Sequence, residues 1–194
     1  MLFVIRISSR KAIAAISLFL VSACATQSIE NVDYRQTQPV IQMTTSGVGP
    51  VGAGTPYSQQ SLAAALPGFE MGTVKTISQG QLKHLQTAFK GGMQQLQFEP
   101  NASGRLVSRI HLVGQEAAGP NGERIGMTFR EAGGIRQNCQ PGSNQWSRMA
   151  LCKSPDGSMT YVFAPQEYDG PENQLPPANV LAEAHLVRII WEAN

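Results

Sequence analysis

Charge is scarce in this chain and nowhere concentrated: only 14% of its 194 residues are charged. Lys and Arg stand singly from Arg35 to Arg188, so no basic stripe offers a nucleic-acid footprint, and no acidic run makes a charged tail. Long apolar runs are missing too, and none reaches the roughly 20 residues that a spanning helix needs. Histidine and cysteine are limited to three each. Neither GxSxG nor HExxH occurs, and no local Cys–His pair is present, so no catalytic, metal or cofactor residue is expected. The glycine-rich stretch from Gly47 to Gly54 has no strand before it and no Lys-bearing helix after it, which excludes a phosphate loop.

What is present begins at the amino terminus. Arg6, Arg10 and Lys11 precede an apolar run, Ala12–Val21, in the order an export signal requires: positive end inward, apolar segment threaded into the membrane. Then comes Leu20-Val21-Ser22-Ala23-Cys24, which resembles the lipobox of bacterial lipoproteins: an aliphatic residue, two small ones and a cysteine. The resemblance covers residues 1–24 only. It implies that residues 1–23 are removed, that the Cys24 thiol becomes a diacylglycerol thioether, and that the new amino terminus is acylated, with palmitate as the expected chain. In that class an Asp after the cysteine favours the inner membrane; Ala25 stands there instead, which implies the outer membrane, facing the periplasm. Without the three basic residues of the signal, 12 basic residues face 13 acidic ones, and the mature chain carries about 12 − 13 = −1.

Residues 24–56 read as a lipidated start and a flexible tether, rich in Gln, Thr, Ser, Gly and Pro and without a sustained period. Residues 57–194 are then one globular domain. Ser58–Leu66 reads as a short helix stopped by Pro67-Gly68. A second helix is expected from Ser78, where Ser78 and Gln81 have capping-box spacing and Leu82, Leu85, Phe89, Met93 and Leu96 recur every three or four residues. From Arg105 the period becomes two, giving candidate strands at Arg105–Val113, Arg124–Arg130 and Ser158–Ala164. Leu181–Trp191 fits helix or strand, and Ile189-Ile190-Trp191 favours strand. The expected class is α+β: an antiparallel sheet with one or two helices packed on one face.

Once Cys24 is assigned to lipid, Cys139 and Cys152 remain, flanking a turn-forming Pro141-Gly142-Ser143-Asn144 segment. In an oxidising periplasm they are expected to form a structural disulfide. His84, His111 and His185 are read as structural residues, and Glu167, Asp169 and Glu172 as a solvated loop rather than a calcium site. Asn101-Ala102-Ser103, a glycosylation pattern, carries no meaning in a bacterium.

Tether, small sheet domain and lack of a catalytic motif lead to an expected function: a non-catalytic accessory or assembly subunit of an envelope complex for secretion, pilus building or transport. Its partners would be the membrane, through the anchor, and other envelope proteins. The alternatives are an envelope hydrolase with a dispersed site and a ligand-binding or inhibitory module. A hydrolase needs a cleft where His111 or His185 meets a nucleophile or carboxylate, whereas a docking subunit shows an exposed apolar patch or an open sheet edge.

Overall fold

The computed structural model describes residues 41–78 and 81–193. Cys24, the signal segment and the first part of the expected tether lie outside them. Among the described residues the chain is already folded at Ile41, well before Tyr57. Strand β1 (Ile41–Thr44) pairs antiparallel with β2 (Gly47–Val48), and Met43, Val48 and Val51 are at most 1% exposed. The glycines here make tight backbone, not slack. Gly47 has φ +136°, and a Cβ on it would meet the Val51 carbonyl oxygen at 2.0 Å, so only glycine fits. The Trp191 indole N–H donates to Thr45 O at 2.8 Å and ties this segment to the last strand.

Helix α1 (Gln59–Ala65) forms where the sequence places it, with Ser58 as N-cap accepting from the Ser61 amide at 3.2 Å. The second expected helix is absent. Its residues build β4 (Gln81–Lys90) and β5 (Met93–Pro100), which follow β3 (Glu70–Ser78) in a meander paired from Glu70↔Phe89 to Ser78↔Gln81 and from Lys90↔Met93 onward. The physical reason is the Gly91-Gly92 pair, with φ of 57° and 75°, which makes a two-residue hairpin turn of the kind that needs positive φ at both central positions. Of the expected helical stripe, Leu82 and Met93 are exposed, and only Leu85 and Leu96 are buried.

Strand β6 (Val107–Leu112) follows, then β7 (Ala117–Ala118), which pairs parallel with β1. Arg124–Arg130 is no strand: only Thr128 makes an isolated bridge, to His185. Strands β8 (Cys139–Pro141), β9 (Ala150–Lys153) and β10 (Met159–Ala164) come next, the last two joined by a turn in which the Asp156 carboxylate accepts from the Ser158 amide at 3.0 Å. The ambiguous C-terminal segment contains both elements, a five-residue helix α2 (Ala178–Ala182) and then β11 (His185–Glu192).

The architecture of the described residues is therefore β-rich: an eight-stranded antiparallel sheet in the order β3-β4-β5-β6-β11-β10-β9-β8, a three-stranded sheet β2-β1-β7, and two short α-helices. Register sets the two faces of the large sheet. Leu96, Leu112 and Ile189 lie in one cross-strand row, with Phe98, Ile110 and Trp191 in a second, and all six are buried in the core with Met43, Val48 and Leu62. Burying each such side chain stabilises the fold by about 1.5–3 kcal/mol. On the opposite face, the row Gln97, His111, Ile190, Thr160 and Lys153 runs across β5, β6, β11, β10 and β9, beside the row Glu99, Arg109 and Glu192.

Candidate functional site

That second face carries the densest polar chemistry of the described residues. Arg109 sits between two carboxylates of its own row. Its Nη1 donates to Glu99 Oε2 at 3.0 Å, and its Nε donates to Glu192 Oε1 at 2.7 Å. Opposite charges on adjacent strands are the sheet's counterpart of a helical ion pair. His111, 5% exposed, holds the other Glu99 oxygen through Nε2 at 2.8 Å. That bond, helped by the Arg109 and Lys83 charges, pulls Glu99 from the ordinary 4.5 down to about 2. Burial lowers the His111 pKa below 6.5 against the pull of Glu99. The imidazole is then neutral at neutral pH and donates Nε2–H, leaving Nδ1 buried with no partner among the described residues.

The β8–β9 connection covers this face. Its residues 142–149 include a short 3-10 turn, Asn144–Trp146. Gly142 permits the fold-back, since a Cβ there would lie 2.1 Å from the Trp146 carbonyl oxygen. Cys139 and Cys152 are directly opposed on β8 and β9, with α-carbons 3.9 Å apart, and are joined as the expected disulfide. Trp146 stacks on the Arg188 guanidinium, whose carbon is 5.1 Å from the ring centroid, and Arg188 Nη1 donates to Gln97 Oε1 at 3.0 Å. Between these groups run a cleft of about 360 Å³ and a recess of about 70 Å³ that reaches Arg188.

On the core side a separate cavity of about 390 Å³ has Phe163, Met127 and Ile135 in its wall and Glu123 and Tyr161 at its polar end. The Tyr161 hydroxyl donates to Glu123 at 3.0 Å, and burial, with the Glu123 charge, raises the Tyr161 pKa, so it remains a donor.

Of the residues marked in the sequence, the structure brings together Cys139 and Cys152 and places only His111 in the cleft. His84 is exposed on β4, and His185 lies at the start of β11 with Gln166 Nε2 at 3.4 Å from Nδ1. Among the described residues, no Ser, Thr or Cys hydrogen-bonds to any of the three histidines, and no acidic, His or Cys group clusters for a metal. A hydrolytic His must reach a hydroxyl or water. His111 meets a carboxylate, but its Nε2 is occupied and its Nδ1 sealed. Glu99, Arg188 and Trp146 were not singled out from the sequence; the signal for the first two was the alternation of polar residues on β5 and β11, and Trp146, in the β8–β9 connection, had none.

Both depressed pKa values fix a pH response. The unfolded chain binds protons that the fold refuses, so stability is full above pH 6.5, falls first through the His111 window below 6.5, and falls again as Glu99 is protonated between 4.5 and about 2. His111→Gln keeps a donor for Glu99 and cannot titrate. Its melting temperature should fall less than the wild type's between pH 6.5 and about pH 5. Calorimetric melting across that range checks it, and identical slopes would assign the protons elsewhere.

Residues 28–193 match the family described as "Protein of unknown function (DUF1131)". An Escherichia coli K12 protein, "Uncharacterized protein YfeY", is 26% identical over 194 residues, covering 95% of this chain and 98% of that protein. A solved structure, "Crystal structure of the uncharacterized protein yfeY from Escherichia coli", superimposes with a TM-score of 0.64 at 25% identity, over 80% of this chain and 100% of that one.

Proposed function

The chain belongs to the family described as "Protein of unknown function (DUF1131)", and on that footing we propose that it is a lipid-anchored, non-catalytic envelope protein that docks another envelope protein onto the outer edge of β3. One observation carries the reading. β3 is nine residues long and, among the described residues, outermost in the sheet and paired only with β4. On its outer side Gln59 Nε2 caps the Met71 carbonyl at 3.2 Å, and among the described residues no hydrogen bond covers Thr73 to Ser78. Such an edge is a template for an added strand, in which main-chain bonds give affinity and alternate side chains give selectivity. The directly opposed Ile77 and Leu82, 69% and 61% exposed, add an apolar anchor at the end of the same hairpin.

The export signal, Cys24 and Ala25 support an outer-membrane address with the domain facing the periplasm, where assembly subunits of secretion, pilus or transport machines work. The mature charge near −1 supports a protein partner over a nucleic acid.

Site-specific photocrosslinking in cells of the native host tests the docking edge. A benzophenone side chain at Thr73 or Lys75 should give one discrete adduct band. The same probe at Asp156, on the β9–β10 turn, should give none. Equal adducts from all three positions, or none from β3, would reject the edge as the docking surface.

A further inference from the structure

We propose that the recess beside Arg188 and Trp146 binds the carboxylate or phosphate group of a small anionic ligand, whose remaining atoms lie in the adjoining cleft. Arg188 is largely buried, yet among the described residues no carboxylate lies within ion-pair distance of it. One of its five donors goes to Gln97, and the plane rests on Trp146. Buried charges are ordinarily paired, and the Arg188 pKa is lowered by that burial, with Glu99 only partly opposing it from a distance. Glu99 cannot turn to it, because both its oxygens are held by Arg109 and His111.

The surroundings share the sign. Cleft and recess are lined by four cations, Lys83, Arg109, Lys153 and Arg188, and by two carboxylates, Glu99 and Glu192, both already bonded to Arg109. His111, neutral, cancels none of the excess. The recess of about 70 Å³ has room for roughly two waters, which is the space of one carboxylate or phosphate group. A planar guanidinium with unused donors suits either group through a paired set of hydrogen bonds. The disulfide fixes the base of the loop that carries Trp146, so the aromatic wall is in place before a ligand arrives.

The experiment is titration calorimetry on the full chain in nonionic detergent, at neutral pH and low salt, with inorganic phosphate, D-glucuronate and D-glucose as probes. Phosphate, glucuronate or both should bind with dissociation constants of about 1 mM or tighter and weaken with added salt, while glucose gives no heat. Binding of phosphate alone assigns the recess to a phosphate group; tighter glucuronate assigns it to a hydroxylated carboxylate. Arg188→Met, which replaces a partly buried cation by an apolar side chain of similar length, should weaken anion binding at least ~10-fold in a chain that still folds. Lys83→Gln, at an exposed position, should weaken it ~3-fold and decides the matter if Arg188→Met does not fold. Glucose binding as tightly as glucuronate, silence from both anions up to ~20 mM, a folded Arg188→Met with unchanged affinity, or an unaffected Lys83→Gln each overturns the proposal.

Discussion

Replacing both Cys139 and Cys152 with Ser is expected to lower the melting temperature by about 6–12 °C. The bridge closes a loop with a sequence separation of 13, and in the chain-entropy account a loop near that length contributes about 3 kcal/mol by restricting the unfolded chain. For a domain of this size each kcal/mol moves the midpoint by roughly 2–4 °C. The fold adds a local reason. β8 is a three-residue strand at the edge of the sheet, held by β9 alone, and a ladder that short would fray without the cross-strand bond. Two serines are specified because a single substitution would leave a free thiol and a different problem. Calorimetry of both proteins checks the shift, and alkylation of the unreduced wild type should leave both cysteines unmodified. A drop under about 2 °C would mean that the rest of the loop, including the Trp146–Arg188 stack, holds itself.

How much of this was legible beforehand depends on how local the determinant is. α1, β6 and β10 were readable because a Pro67-Gly68 breaker, a period of two and a Pro155-Asp156-Gly157 turn each act within a few residues. The disulfide was readable by parity. β4 and β5 were not, because Leu82, Leu85, Phe89, Met93 and Leu96 fit a helical period while the decisive feature was the turn preference of Gly91-Gly92. Glycine misled a second time at Gly47, where its value is close backbone approach rather than freedom. The cleft was the least legible part. Glu99, Arg109 and Glu192 form one row only because β5, β6 and β11 lie side by side, and Arg109 and Glu192 are 83 residues apart. Each strand's alternation announces a polar face, but which polar residues become neighbours is set by strand order and register, and neither is written locally.

Under the lipoprotein reading, Cys24→Ser should remove the protein from the membrane fraction altogether, leaving unprocessed or soluble chain. The thiol is the acyl acceptor, and a hydroxyl does not substitute for it in thioether formation. Without lipid the attachment loses about 0.8 kcal/mol for every buried methylene of several acyl chains. The described structure sharpens what the anchor does. Because the chain is already folded at Ile41, at most Ala25 to Val40, 16 residues, can separate the lipid from folded structure, against the expected tether through residue 56. At 3.3–3.6 Å per residue that stretch can reach at most about 55 Å, whatever conformation it takes. That confines the β3 edge to partners on or near the same membrane. Gradient fractionation of wild-type cells should place the protein with outer-membrane markers, as Ala25 implies, and recovery with inner-membrane markers would overturn that address without touching the anchor. Mature, membrane-bound product from Cys24→Ser cells would overturn the anchor itself, and the β3 adducts at Thr73 or Lys75 should vanish in the soluble variant if proximity to the membrane is what brings the partner within reach.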